Sequence, residues 1–276
     1  MRLALLSLVT AGCSFSGPLA VTAGDPGVDA PVGVTPDASV AVVPDAPQGP
    51  TFAPCAATDT TGLVACYEFE DDFTTAGKIH DSSANHLDAT VHGLTTASRN
   101  TSHAAAVMPS DATYVPQTPL LDRAAGFTLA LWVNPSSLPS EGNVLGLLDH
   151  ELQYAMAIGK SSGSVTARCI LTGLSFYEWV DGISSNTWSM LACTWDGTNL
   201  CAYRWTSATD HTQNCFEPGE SPAAVGINGL AIGSLSDTGA PSFPLKGALD
   251  SIHVYDHAVP VAGLCTAIGQ PAGCLQ

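Results

Sequence analysis

The stretch that most constrains the fold is residues 188–205, in which two apolar runs flank Asp196 and Gly197. An Asp-Gly step between two such runs is a strong β-hairpin signal, because these residues tolerate the positive φ angles of a two-residue turn. Both faces of the first run are largely apolar. A strand that is apolar on both faces is typical of the middle of a β-sandwich, so we predict that the other segments pack around this hairpin.

Short strand-like segments follow one another along residues 55–276, and Gly, Pro and Asn or Asp turns separate them. This pattern predicts a single all-β domain, an antiparallel two-sheet jelly-roll sandwich with one short C-terminal helix. Gly159 to Gly163 matches the nucleophile-elbow spacing of hydrolases, but that motif needs a helix after it. A strand follows here, so we interpret the motif as a hairpin turn. The predicted helix is 260–268, and the predicted strands are 63–69, short strands within 79–92, 127–133, 144–149, 152–158, 164–171, 175–180, 230–233 and 247–255.

The N-terminus predicts export. Residues 1–12 combine one Arg with a short apolar run, which is typical of a secretion signal and too short to span a bilayer. The run ends in Val-Thr-Ala-Gly-Cys at 9–13, which resembles the lipobox of bacterial lipoproteins. In that family the cysteine, here Cys13, is lipidated, and Ser14 after it favours the outer membrane or the cell surface. An ordinary cleaved signal with a chance cysteine is the alternative.

Residues 13–54 are rich in Ala, Val, Pro and Asp and hold few large side chains. Such a segment buries too little apolar surface to offset the entropy of ordering, so we predict a disordered tether before the domain at 55–276. The net charge of the chain is -17, which repels nucleic acid and anionic membranes. We therefore expect no nucleic-acid partner, and membrane contact only through the lipid anchor. The acidity serves solubility, and some of the carboxylates are candidates for binding Ca²⁺.

Eight cysteines remain besides the lipobox cysteine, and an even number in an exported chain predicts up to four disulfides. Roughly a hundred connectivities exist for eight cysteines. A two-residue hairpin turn would pair Cys193 with Leu200 and would place Cys193 and Cys201 on opposite faces, so a bond between those two is not expected. We favour Cys169–Cys193 across neighbouring strands and Cys201–Cys215 across a hairpin, which leaves Cys55–Cys66 and Cys265–Cys274 at the two ends.

Four stretches carry a family signature when they are read in order. They are GLVACYEFEDD and HDSSANHLDATVHG within 62–93, FTLALWVNP at 127–135, NTWSMLACTWDGTNLCAYRW at 186–205, and LAIGS with FPLKGALDSIHVYDHAV within 230–259. Together they resemble the laminin-G-like, concanavalin A-like jelly rolls found in bacterial surface proteins. The resemblance implies the same jelly-roll fold that the strand pattern predicts.

The resemblance also implies a Ca²⁺ ion near the joined first and last strands. The matching carboxylates are Glu68 (or Glu70), Asp81 and Asp250, and carbonyls of the loop at 82–85 would help to supply the six to eight oxygens that calcium takes. The alternative for Asp81 is that it caps its own turn, a common role for Asp. The alternative for Asp250 is a buried hydrogen bond to neighbouring backbone.

Sugar binding in folds of this kind uses exposed aromatic rings, which cover the apolar side of a pyranose. The candidates are Phe176, Tyr177 and Trp179, in one predicted strand that also holds Glu178. The alternative is that these rings belong to the core, where most aromatic residues of a sandwich lie.

The leading prediction is a non-catalytic cell-surface module that binds a glycan or another surface protein, with support from calcium. The second hypothesis is a structural envelope lipoprotein without a small ligand. The third is a glycan-cleaving hydrolase, because Glu68 and Glu70 would share one strand face, as a two-carboxylate mechanism needs. Asp71 and Asp72 interrupt that alternation, and we expect no enzyme activity.

Overall fold

The computed structural model describes residues 55, 60–99, 102–107, 113–171, 176–237, 240–267 and 274. The signal predicted at 1–12, the lipidation site Cys13 and the tether at 13–54 lie outside the described residues. No helix among the described residues is long and apolar enough to cross a bilayer.

Within the described residues, the chain is built mainly of short antiparallel strands. Its helices are α1 (Phe73–Ala76) and α2 (Val261–Ala267), and Pro119–Leu121 form a turn of 3₁₀ helix. The strands in chain order are β1 (Leu63–Tyr67), β2 (Lys78–Ile79), β3 (Ala89–Thr90), β4 (Thr95–Arg99), β5 (Ser102–Val107), β6 (Thr113–Val115), β7 (Phe127–Pro135), β8 (Val144–His150), β9 (Tyr154–Ser161), β10 (Ser164–Leu171), β11 (Phe176–Asp181), β12 (Ser189–Trp195), β13 (Leu200–Ser207), β14 (Asp210–Phe216), β15 (Leu230–Ile232), β16 (Leu235–Asp237), β17 (Ala240–Ser242) and β18 (Gly247–Tyr255).

Two eight-stranded sheets enclose one main core, and β16 and β17 form a separate two-stranded sheet. The first sheet runs β14-β13-β12-β7-β18-β5-β4, and β1 and β5 pair with different parts of β18. The second sheet runs β11-β10-β9-β8-β15-β6-β3-β2. This arrangement confirms the predicted antiparallel two-sheet sandwich with a short C-terminal helix.

Strand β12 is covered on both faces, as the sequence predicts. All seven of its residues are buried. Leu191 and Trp195 point into the main core that both sheets share. Met190 and Ala192 point the other way and pack in a second cluster with Leu264 of α2. The C-terminal helix therefore covers the outer side of the strand.

The turn of the central hairpin is longer than predicted. Trp195 pairs with Leu200, so the loop has four residues, not two. The carboxylate of Asp196 accepts hydrogen bonds from the backbone N–H groups of Thr198 at 2.8 Å and Asn199 at 2.6 Å, which organise this wider loop. The predicted register was therefore wrong by two residues. An even shift keeps every side chain on its predicted face, because side chains alternate with a period of two.

The described residues contain four disulfides, and they are the pairs favoured from the sequence. Cys169 lies in the second sheet and Cys193 in the first, so this bond crosses the core, where the sequence analysis expected neighbouring strands. Cys201 and Cys215 are direct partners across the β13–β14 pair. The remaining bonds are Cys55–Cys66 and Cys265–Cys274.

Other departures from the predicted elements have local causes. Strand β1 ends at Tyr67, not at residue 69, and Phe69 adopts a positive φ of 58° that a strand cannot contain. Strands β4 and β5 are not predicted from the sequence. They consist mainly of Ala, Ser and Thr, which gives little hydrophobic alternation.

Candidate functional site

Strand β10 presents a polar face away from the core. Its odd-numbered residues pack in or against the main core, so Ser164, Thr166 and Arg168 point outward. On the neighbouring edge strand β11, Asp181 pairs with Thr166 and Trp179 pairs with Arg168. Directly paired residues share a face of a sheet, so these five side chains form one outward patch.

The patch lines a recess of about 270 Å³, which we call the Trp179 recess. Ser161 and Ser162, at the β9–β10 turn, complete its wall. Ser162 and Gly163 both have positive φ and Ser161 pairs with Ser164, which confirms the predicted hairpin turn and shows that its loop has two residues. Trp179 is 45% exposed within the recess.

The side chain of Arg168 lies over the neighbouring strand β9 at Gly159, which has no side chain. A Cβ at Gly159 of β9 would lie only 2.3 Å from Cζ of Arg168. The Nε of Arg168 donates a hydrogen bond to the hydroxyl of Thr166 at 3.4 Å. The glycine leaves room for the guanidinium, and the threonine contacts it within the recess.

Asp181 is held from two directions. Its carboxylate accepts a hydrogen bond from the hydroxyl of Ser164 at 2.5 Å, and its backbone carbonyl accepts one from Nε of Arg204 at 2.7 Å. Arg204 belongs to β13 of the first sheet, is buried, and also donates to Thr206 and to the carboxylate of Asp210. The hydrogen bond from Arg204 lowers the pKa of Asp210. Residues of both sheets therefore position the carboxylate of the recess.

The strand that carries Trp179 is tied down by the residue before it. Glu178 is buried, and its Oε1 accepts hydrogen bonds from the backbone N–H of Trp179 at 2.9 Å and from the side chain of Asn214 at 2.7 Å. Asn214 lies on β14, so this contact links the edge strand to the first sheet. The side chains of Phe176 and Tyr177, the other two predicted sugar-binding residues, lie outside the described residues.

Asp81, the first predicted calcium ligand, is used within the protein. It is 3% exposed, and its oxygens accept four hydrogen bonds of 2.7–2.9 Å from the N–H groups of Cys66, Ser83 and Leu87 and from the hydroxyl of Ser83. A carboxylate offers about four lone-pair sites. These contacts agree with the alternative that Asp81 organises its own turn.

The other two predicted ligands also have protein partners. Asp250 is 1% exposed and forms a buried ion pair with Arg99. Burial raises the pKa of Asp250, and the charge of Arg99 opposes that rise. Glu68 accepts hydrogen bonds from the N–H of Cys55 at 2.6 Å and from the hydroxyl of Ser82 at 3.0 Å.

The three carboxylates do not form a cluster of ligands. Within the described part of the chain, the one group of three potential metal ligands whose atoms lie within 4.8 Å of one another is Cys55, Cys66 and His253. Its two sulfurs are joined in a disulfide, so they are not the thiolates that bind metals. Glu68, Asp81 and Asp250 do not fit one shared calcium site, and calcium stays a prediction from the family resemblance.

A second recess, of about 190 Å³, contains the carboxylates considered for hydrolysis. Glu68 and Glu70 line it together with His80. The two glutamates do not share a strand face, because β1 ends at Tyr67 before either of them. The basis on which the sequence suggested a two-carboxylate mechanism was therefore wrong.

The sequence profile of the concanavalin A-like lectin/glucanases superfamily matches residues 103–264. That range contains every residue of the Trp179 recess. The chain belongs to this superfamily. No curated protein sequence matches the chain.

Several solved structures have folds similar to this member of the superfamily. Domain 4 of an extracellular arabinanase from Geobacillus stearothermophilus, in complex with arabinotriose, has a TM-score of 0.54 at 16% identity, covering 75% of this chain and 98% of that domain. The binding domain of Paraclostridial Mosquitocidal Protein 1 has a TM-score of 0.53 at 16% identity, covering 73% of this chain and 50% of that one. Trypanosoma rangeli sialidase in complex with sialic acid has a TM-score of 0.54 at 15% identity, covering 80% and 35%. The chain thus spans half or less of the last two, and at these identities the likeness shows the fold.

Trp179 was predicted from the sequence as a ligand-binding residue. Arg168, Thr166 and Ser164, which share its recess, were not. A signal for all three was present, because polar residues alternate with apolar ones from 164 to 169. The sequence alone could not show that Gly159 would lie under Arg168, since that depends on how β9 and β10 are paired.

Proposed function

We propose that this protein is a non-catalytic binding module that takes a glycan in the Trp179 recess. The observation that carries this proposal is an exposed tryptophan ring beside a fixed guanidinium, a fixed carboxylate and several hydroxyl groups. An aromatic ring covers the C–H face of a sugar, and the surrounding groups meet its hydroxyls.

The recess is organised before any ligand arrives. Asp181 is held by Ser164 and Arg204, and the guanidinium of Arg168 is held over Gly159. Binding groups that are already ordered lose little conformational entropy when a ligand binds. This organisation supports a binding site over a patch of solvated surface.

The comparisons support a glycan as the ligand. The similar arabinanase domain was crystallised with arabinotriose, and the similar sialidase with sialic acid. A surface protein is the second ligand class, since other structures of this fold are receptor-binding domains. We include in the proposal that the module is exported and anchored to the cell surface by lipidation of Cys13.

A glycan array tests the proposal with three forms of the protein: wild type, Trp179→Ala and Phe216→Ala. Phe216 is a matched control, because it is a similarly exposed aromatic residue in the first sheet. We expect at least one glycan to bind wild type and Phe216→Ala equally and to bind Trp179→Ala at least tenfold more weakly. Arabino-oligosaccharides belong on the array.

The absence of any glycan ligand, or equal binding by Trp179→Ala, would overturn the proposal and favour a structural role. Release of new reducing ends from a bound glycan would show a hydrolase. That activity would point to the recess at Glu68 and Glu70, where Glu70→Gln should abolish it.

A further inference from the structure

The charges of the Trp179 recess indicate which class of glycan it accepts. The recess contains one cation, Arg168, and one carboxylate, Asp181, two rungs apart on the same face of the β10–β11 pair. Arg168 and Asp181 therefore cancel to no net charge. The surrounding groups in the recess are hydroxyls from serine and threonine.

A neutral sugar satisfies this pair of charged groups, whereas an acidic sugar does not. The guanidinium only donates hydrogen bonds and the carboxylate only accepts them, while a sugar hydroxyl does both. One ring with two neighbouring hydroxyls can therefore engage Arg168 and Asp181 together. A uronic or sialic acid brings a carboxylate that Arg168 attracts but that Asp181 repels at short range.

The position of Asp181 makes this repulsion hard to avoid by movement. The Ser164 hydroxyl and the buried Arg204 hold its side chain and its backbone. The net charge of -17 on the chain adds a longer-range repulsion for polyanions, which salt screens. Asp181 is thus both a hydrogen-bond acceptor for neutral sugars and a selector against acidic ones.

We infer that the Trp179 recess selects uncharged glycans and that Asp181 is the residue that excludes acidic ones. The inference rests on the proposed function and adds the class of ligand. Because Asp181 repels acidic glycans at short range, the preference for neutral glycans should persist at an ionic strength that screens long-range repulsion.

The test uses matched pairs of oligosaccharides that differ only in a C6 carboxylate, such as galactose oligomers and galacturonic acid oligomers. Pairs are chosen from whichever neutral sugar binds, and calorimetry is run at low and at high salt. For wild type we expect the neutral member to bind at least tenfold more tightly in both salts. Asp181→Asn should reduce that ratio at least fivefold, because it removes the repelling charge and keeps an acceptor oxygen.

Glu220→Gln is the control for overall charge, because it removes one negative charge at an exposed residue outside the recess. It should change the ratio less than twofold. Equal or tighter binding of the acidic member by wild type, or an unchanged ratio in Asp181→Asn, would overturn the inference and leave the proposed function intact. Binding of neither member to wild type, with no other glycan bound, would overturn both.

Discussion

Arg168 occupies the space that a side chain at residue 159 would fill, because position 159 of the neighbouring strand is glycine. The contact joins two adjacent strands of the second sheet and decides where the cation of the Trp179 recess lies. A change at residue 159 therefore alters the site without changing any group that would touch a ligand.

Gly159→Ala should weaken glycan binding by about threefold to tenfold, because the new methyl group displaces the guanidinium of Arg168. A displaced hydrogen-bond donor contributes much less to the free energy of binding. The fold should tolerate the change, since only the end of a flexible side chain has to move. Titration calorimetry and thermal melting measure the two effects. In the Arg168→Ala background the same substitution should have no further effect on affinity, and additive losses would contradict the account.

Asp149 is expected to make stability depend on pH. This carboxyl is 3% exposed, its Oδ2 accepts the backbone N–H of Ser236, and the described residues provide no hydrogen-bond partner for Oδ1. Burial raises its pKa to about 7, and the nearby charge of Glu151 acts in the same direction. The charge of Asp149 also acts on Tyr114 of β6, beyond the intervening strand β15, and on the buried Tyr154 of β9.

A pKa raised on folding means that the contribution of Asp149 to stability is fully present below the unfolded pKa of about 4 and is lost as the pH rises through about 7. Asp149→Asn should remove this decline, so that the variant exceeds wild type above pH 7 by roughly 1.4 kcal/mol per unit of pKa shift. Urea unfolding at pH 4 to 8 measures the difference. If the free energies of unfolding of the two proteins change in parallel with pH, folding does not raise the pKa of Asp149, and the prediction is contradicted.

The Cys169–Cys193 bond links stability to the site. It closes a loop of 24 residues across the core, and Cys169 directly follows Arg168. Replacing both cysteines with Ala should cost about 3 kcal/mol in the chain-entropy account. Because β10 is then no longer fixed to β12, we also expect weaker glycan binding.

Replacing Cys201 and Cys215 gives the matched comparison, since that bond spans 14 residues but joins neighbouring strands of the first sheet. Its loss should cost a similar free energy of unfolding and leave affinity unchanged. An equal loss of affinity in both double variants would show that stability alone, and not the position of β10, determines binding.

Calcium should not stabilise the protein through Glu68, Asp81 and Asp250. Asp81 already accepts four hydrogen bonds and Asp250 is paired with Arg99. Millimolar Ca²⁺ and a chelator should therefore give the same melting temperature. Asp81→Asn should lower the stability by about 1–3 kcal/mol, because at least one buried N–H or O–H group loses its acceptor. A calcium-dependent rise in melting temperature that Asp81→Asn abolishes would restore the calcium site.

Much of the fold could be predicted because it depends on hydrophobic alternation. The apolar runs at 188–205 identified the central hairpin, and the exact length of its turn did not alter which faces of its strands are buried. Those faces argued against a Cys193–Cys201 bond, and that argument survives a register that was wrong by two residues. The four-residue loop could not be predicted, because the Asp196 carboxylate competes with a tight turn for the backbone N–H groups of Thr198 and Asn199.

The site was harder to predict than the fold. Trp179 stood out as an aromatic residue in a polar segment, but most of the residues that share its recess come from β9, β10 and the turn between them. Arg204, which positions Asp181, is 23 residues away in sequence and lies in the opposite sheet. The carboxylates at 68, 81 and 250 were predicted from a family pattern, and sequence could not show that each of them already has hydrogen-bond or ion-pair partners within the protein.

The central claim is that the ligand lies against Trp179, and fluorine NMR of the protein labelled with 5-fluorotryptophan tests it most directly. The chain has five tryptophans, and Trp132, Trp195 and Trp205 are buried whereas Trp179 is 45% exposed. Single Trp→Phe variants assign the five resonances. Titration with a glycan that binds should move the Trp179 resonance and leave the buried ones in place. A bound glycan that leaves the Trp179 resonance unmoved would contradict the account.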